Sequence, residues 1–564
     1  MAASAGSPTV PSASRRVSLI SRVYGFGSIY AKTIRDSRLS FIIIAGLLGG
    51  LMLVAGAAVG EALGSTGARA DLVTLANSMP PILQGLTGKA LNVGTLGGYM
   101  SWKYGPFFIF VAGLWSILAL SGTLALESRR GSMEFVASAP FGKRRLALEK
   151  LAAHLTVMTV AMVILAVTTY VVGAAFGSLP GDAIPVQAAI GFALWVGLMA
   201  LASGGVAFAL APFVGRGGAA GIAGMILFAG YILSGYAASV PIFAVPANLS
   251  WFHWTADHLP LAGQYDWLSL VPVAIAAVIL FAIGIEAFGR RDLGAVTTLR
   301  GPSLPGPMLG LHEPARRSFG ERFSLGLAWG IGIGVFGLVI AAASASLATE
   351  LAKLSPDMLR LYKDIFPAYD LGTAGGFLQL VFIQLGFIVA GFAGATLVSA
   401  WGSDETDGRL EMLLATPLAR RTWAVRSGLG VFLAIILMNI VIAIGVGIGA
   451  LMAGSDALTP MLGSVNLGLY AAALVGIGIA VGGLVRTSIA AEIVALIVVA
   501  TFLVDLLAPA LKLPDWVHQL ALTAHMGQPM VGAWDPAGIV ACLVLAFGGL
   551  LLGGWGMTRR DIAR

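Results

Sequence analysis

Two glutamates, Glu134 and Glu411, each stand three residues after a glycine (Gly131, Gly408) and six before a proline (Pro140, Pro417). Basic residues follow each proline: Lys143 and Arg144 in one place, Arg420 and Arg421 in the other. The glycine supplies a break, apolar side chains follow at helical spacing (Met133, Val136; Leu410, Leu413, Leu414), and the proline stops the helix. This predicts a helix of two to three turns, roughly 15 Å long, that carries one acid and leads into a cation cluster suited to phospholipid headgroups. That is the chemistry of a docking surface, not of a reaction.

The spacing recurs because the stretch Glu127–Lys150 is repeated without a gap at Asp404–Ser427. A local ion pair is open to Glu134, with Arg130 four residues before it. At Glu411 the residues three and four positions away are Asp407, Gly408, Leu414 and Ala415, none of them cationic, which points to a partner outside the chain.

The elements that must hold these loops are apolar. The chain of 564 residues is 58% hydrophobic and 11% charged, with a mean hydropathy of +0.90, and its apolar residues come in runs long enough to cross a bilayer. An all-α polytopic membrane protein is expected, with twelve spans near 39–60, 105–126, 151–177, 187–212, 218–238, 269–289, 324–348, 375–400, 428–453, 465–485, 489–508 and 536–557. They divide the chain into a tail and lead-in helix (1–38), a six-helix half (39–289), a Gly/Pro-rich linker (290–323), a second six-helix half (324–557) and a short tail (558–564). With both termini in the cytoplasm, 27 of the 34 lysines and arginines fall on the cytoplasmic side. Those loops account for the net charge of +7 without nucleic acid.

Each half is expected to begin with a basic, aromatic lead-in, Arg15–Ser40 lying in the membrane interface and Ala315–Phe323 more briefly. Glycines four residues apart in the first, seventh and ninth spans suit close helix packing within the chain. In the outer loop Thr349–Gly372, Ser355-Pro356-Asp357 predicts the start of an amphipathic helix. Single arginines, Arg216 and Arg486, anchor the short turns between the fourth and fifth spans of the halves. Trp- and His-containing segments, too short to span, precede each last span. The histidines lack acid or cysteine companions at ligand spacing, and the lone Cys542 excludes an intrachain disulfide, so no metal site is expected.

No nucleotide-binding GxxxxGK followed by Ser or Thr occurs, and no paired catalytic groups stand in the spans. An ion-coupled carrier would need acids deep in the membrane, and only Asp505, Glu286 and Glu492 come near. The spans offer apolar, aromatic walls instead, and Trp115, Phe228, Tyr231, Phe382, Phe387 and Phe502, with the polar Gln384, are the candidate lining for a large hydrophobic ligand.

Two sets of six spans, each with a basic lead-in, an acid-Gly-Glu loop ending in Ala-Pro or Thr-Pro and a basic pair, and a broken outer segment, resemble the ABC-2-type exporter permeases. The double-length form is similar to the actinobacterial polyketide-antibiotic (tetronasin-type) exporters. The resemblance implies a type V exporter fold in a bacterial plasma membrane and no cofactor on this chain. It also implies two copies of a separate ABC ATPase that bind ATP and Mg, and a hydrophobic drug or antibiotic as cargo. Exporters of lipid or polysaccharide are the related alternative. It assigns ATPase coupling to Glu127, Gly131, Glu134, Pro140 and Arg144, and to Asp404, Gly408, Glu411, Pro417 and Arg421.

Overall fold

The computed structural model describes residues 28–78, 84–85, 88–129, 142–238, 243–290, 313–351, 373–406, 408–507 and 514–561. Backbone polar groups in lipid must be satisfied within the segment that carries them, so apolar runs of this length become helices. Among the described residues twelve helices are long and apolar enough to cross a membrane. They are α1 (Ile29–Glu61), α2 (Leu96–Thr123), α3 (Lys143–Phe176), α4 (Val186–Arg216), α5 (Gly218–Tyr236), α6 (Leu270–Arg290), α7 (Pro314–Ser344), α8 (Ala374–Thr406), α9 (Arg420–Met452), α10 (Leu458–Leu484), α11 (Thr487–Asp505) and α12 (Pro536–Arg559). The chain is a multi-pass membrane protein, as its composition predicts.

The lead-ins differ from expectation. Ser28 caps a single helix that runs unbroken from Ile29 to Ala62, and Pro314 opens another that continues to Leu351. The basic residues from Lys32 to Arg38, and Arg316 to Arg322, therefore extend the spanning rods and do not lie in a separate flat helix. The remainder of the first lead-in, the linker glycines and prolines at 301–307 and the helix start at Ser355 lie outside the described residues.

Both halves pack in the same order: α1 on α3, α2 on α4 and α5, α4 on α6, and correspondingly α7 on α9, α8 on α10 and α11, α10 on α12. In lipid, helices gain from close contact more than from hydrophobicity, and small residues permit it. A Cβ on Gly445 would lie 2.3 Å from the Gly334 carbonyl oxygen, and one on Gly449 2.2 Å from that of Leu338, so α7 and α9 meet backbone to backbone. In the first half Gly60 plays this part against Phe176 in α3. The glycine spacing thus serves packing within the chain. Between α4 and α5 the turn is made by Gly215 at φ 72°, a left-handed conformation that favours glycine.

Call the side of the bundle that carries the arginine-rich loops its basic end. At the opposite end the repeat is equally visible. Thr95 and Thr373 cap the starts of α2 and α8 by accepting from the Gly98 and Gly376 amides, and each helix then makes a π-turn, at Met100–Tyr104 and Gln379–Ile383. Against each start packs a tight turn from the segment before the last span, Pro260–Ala262 or Pro529–Val531, closed by left-handed Gly263 or Gly532. Gln379 is buried here, accepting from Met530 N at 3.1 Å and donating to Gly527 O at 3.4 Å. The tryptophan–histidine segments form short helices only, Trp251–Trp254 and Asp515–His518 among them, and His258 is bonded to the Asp266 backbone.

A buried ion pair ties this end together. Arg69, in the helix Thr66–Ser78, donates to both Asp182 oxygens at 2.9 and 2.6 Å, and Asp182 also accepts from the amides of Leu96, Ser178 and Leu179. Burial pushes the Asp182 carboxyl up, but the Arg69 guanidinium and the three amides outweigh it and hold it down at about 2. A depressed acid adds stability above its unfolded value of 3.8 and loses it as pH falls toward 2. Asp182→Asn is expected to cost about 2 kcal/mol, read as a lower thermal midpoint in detergent. The gap between variant and wild type should be constant from about pH 5 to 7 and close below about pH 4; a gap independent of acid would refute this account.

Candidate functional site

The second of the repeated loops is described almost entirely. Helix α8 ends at Thr406, Gly408 turns at φ 72°, and a helix of six residues follows, Arg409–Leu414, roughly 9 Å long. It is shorter than the proline alone predicts, because the chain already turns at Ala415 and Thr416, ahead of Pro417. Leu410 is fully buried and anchors it, while Glu411 and Met412 point outward, Met412 being 69% exposed. Glu411 is not without a partner inside the chain. The lack of a cation at helical spacing therefore does not by itself call for an external one.

Beneath this helix the acids are turned inward. Asp404, 4% exposed, lies 3.6 Å from Arg409 Nε and 3.7 Å from Arg317 Nη2 of α7. Beside them Arg322, 2% exposed, donates to Ser318 O at 2.8 Å and Ala400 O at 2.7 Å. Glu405 accepts from both Arg560 Nη atoms, one at 2.6 Å, and from Thr487 Oγ1 at 2.8 Å. Arg560 also donates from Nε to Gly483 O, and its own carbonyl accepts from Arg420. Trp401 stacks on Trp423 at 5.4 Å and donates to Ser427 Oγ. The stem of the loop is thus fastened to α7, α9, α10, α11 and the end of α12. Arg421 is exposed on the first turn of α9.

In the first copy, Gly131, Glu134 and Pro140 lie outside the described residues, and Glu127 is placed only as part of the helix Gly105–Arg129. Arg144 is described: it donates to Glu286 at 2.7 Å, and Arg290 donates to the same oxygen at 2.6 Å. Where Ser427 meets Trp401 in the second half, the buried Lys150 donates to Thr123 O at 2.8 Å in the first.

The proposed wall residues do not form one surface. Phe110, Phe228, Phe336 and Phe382 make a continuous series of ring contacts at 6.1, 4.9 and 5.6 Å that passes from α2 and α5 into α7 and α8. Tyr231 joins Phe110 at 5.2 Å, and Phe107 meets Phe502 of α11 at 5.4 Å. These contacts form a seam between the halves. Phe387 pairs with Tyr470 inside the second half. Trp115 faces elsewhere: it donates to Ser40 of α1 and stacks on His154 of α3. Gln384 is half-buried and engaged within the chain. Phe336 escaped the sequence reading because Trp329 and Phe336 are the only two rings of the glycine-rich span expected near 324–348, too few to mark a wall.

The membrane acids sit at the ends of the bundle. Asp505 accepts from Thr523 at the end opposite the basic one, Glu286 lies between two arginines, and Glu492 is exposed.

Residues 321–557, which comprise most of α7 and nearly all of the second half, match the family described as "Multidrug efflux system permease Rv1217c, C-terminal domain". No individual curated protein matches the chain. The family match supports an efflux permease, a transporter subunit rather than an enzyme.

Removing one member of a buried pair strands the other charge, at about 3 to 5 kcal/mol. Arg560→Ala and Glu405→Ala are each expected to lower the thermal midpoint in detergent, and the double variant to be less destabilised than the two singly added. Additive losses would show that the pair does not act as one unit.

Proposed function

We propose that this chain is the permease of an ATP-driven exporter in a bacterial plasma membrane. Its basic end faces the cytoplasm and it works with two copies of a separate ABC ATPase, one at each repeated loop. The observation that carries the reading is the second loop: a six-residue helix with Leu410 held in and Glu411 and Met412 held out, on a stem fastened to five helices. Such a knob is rigid where it joins the bundle and offers one acid and one apolar side chain to a partner. Asp404 and Glu405 are turned inward, so their part is to hold the loop, while Glu411 presents it. The chain carries no nucleotide-binding motif of its own, so the energy must enter from a partner.

The cargo is a hydrophobic small molecule that passes along the aromatic seam. Aromatic ring pairs contribute about 0.5 to 1.5 kcal/mol each beyond burial, weak enough for a seam to open and close during a cycle. ATP-driven movement of the two loops alternates access between the cytoplasm and the outside. An ion-coupled carrier is less well supported, since Asp505, Glu286 and Glu492 all stand at the ends of the bundle and not in its middle.

The test is purification of the chain from its native membrane in mild detergent. The expected result is an ATPase at two copies per chain whose hydrolysis rises with hydrophobic drugs. Glu134→Lys together with Glu411→Lys should reduce that stimulation at least about tenfold, the cost of reversing contacts worth about 1.4 kcal/mol. Full coupling in the doubly reversed variant, or cargo movement without ATP along an ion gradient, would sink the proposal.

A further inference from the structure

Lys103, Phe107 and Phe110 stand at i, i+4 and i+7 on α2 and so share one helix face. Phe107 reaches across to Phe502, and Phe110 joins Phe228, so this face lines the seam between the halves. Lys103 lies one turn beyond the Phe107–Phe502 contact, toward the end opposite the basic loops, and is exposed. Its Nζ sits 5.6 Å from the centre of the Tyr99 ring and 5.9 Å from that of Tyr104. No carboxylate among the described residues pairs with it. A cation needs something to answer its charge, and two ring faces with the hydrogen bond to Tyr99 do so only in part.

The repeat shows that the fold does not need this cation. Thr95 and Thr373, and the Gly-Gly pairs Gly97-Gly98 and Gly375-Gly376, set the register between α2 and α8. In that register Lys103, Phe107 and Phe110 correspond to Val381, Leu385 and Ile388, and Tyr99 and Tyr104 to Phe377 and Phe382. Val381 is fully buried. An aliphatic and phenyl set closes this corner in the second half, whereas the first half places an ammonium group and two phenols there.

Building on the efflux reading, we infer that the seam selects anionic amphiphiles, whose acidic head binds Lys103 while the apolar body lies along Phe107, Phe110, Phe228 and Phe336. A lysine that merely snorkels toward headgroups would not distinguish cargoes by charge.

The test uses inside-out vesicles from cells that express the full chain with its ATPase, and two probes that differ in one charge, deoxycholate and its methyl ester. Wild type should accumulate both when ATP is supplied. Lys103→Val, which installs the residue of the second half, should lower deoxycholate uptake about tenfold and leave the ester within about twofold, the difference expected for one charge-assisted bond. Lys103→Arg should keep both. An unchanged ratio of deoxycholate to ester in Lys103→Val would overturn the inference, as would wild-type uptake of the ester alone. Failure of wild type to accumulate either probe or any other hydrophobic drug would instead overturn the efflux reading.

Discussion

Within the second half above all, helices are held by backbone meeting backbone, and much of the rest follows from that. Lipid offers helices little hydrophobic reason to associate, so they must gain from contact alone, and only glycine lets the main chains come close enough. Gly334 meets Gly445, Gly476 meets Gly549, and Gly483 meets Gly553, each with no room for a Cβ. These joints are short, extended along the helices and have no side chain that can rotate out of the way. The contacts described between the halves are of another kind: Phe107 with Phe502, Phe228 with Phe336, and Met225 against Gly332. Rings can slide or turn where backbones cannot. The chemistry of the packing thus distinguishes the joints within the second half from the seam between the halves.

The halves repeat in topology but not in how their basic ends are secured. In the second half the loop stem is held by charge: Glu405 to Arg560, Asp404 between Arg317 and Arg409, Arg322 beneath. In the first half Arg290, the counterpart of Arg559 at the end of its last span, pairs with Glu286 on its own helix, and the counterpart of Arg560, Arg291, lies outside the described residues. Ser128 stands where Glu405 would be needed. The glycine, glutamate and proline of the two loops nevertheless fall at the same spacings. A site tied to five helices, as the second is, passes a push directly into the bundle.

What was legible in the sequence is what lipid enforces. Twelve apolar runs could only be helices, and the repeat of Glu127–Lys150 announced two halves. The length of α1 and α7 was not legible, because a basic, aromatic stretch suits either an interfacial helix or the wet end of a long rod. The choice was made by contacts such as Arg322 with Ala400, distant in sequence. Trp115 and Phe336 failed in opposite directions. One is an aromatic that faces α1 and α3, the other a single ring that bridges the halves, and nothing in their local spacing separates the two cases. Glu411 shows the limit of local ion-pair reasoning on a six-residue helix: no cation stands three or four residues away, yet it is not without a partner.

The two spans that end in the repeated loops also carry the seam. Helix α2 bears Lys103, Phe107 and Phe110 before it runs into the first loop, and α8 bears Phe382 before Asp404 and Glu405. At about 1.5 Å per residue α2, of 28 residues, is about 42 Å long and α8, of 33, about 50 Å, and an α-helix is stiff along its axis. Motion given to a loop therefore reaches the seam without an intermediary. The π-turns Met100–Tyr104 and Gln379–Ile383 break that stiffness at the far end, next to the threonine caps and the tight turns that pin each helix start. A π-turn inserts a residue into the hydrogen-bond ladder and is a place where a helix can change register. On the proposed reading the arrangement is a lever driven at one end and hinged at the other, with the aromatic contacts between. Lys103 sits in the π-turn of the first half and hydrophobic Val381 in that of the second, so on the proposed reading the two helices would meet one cargo with different chemistry.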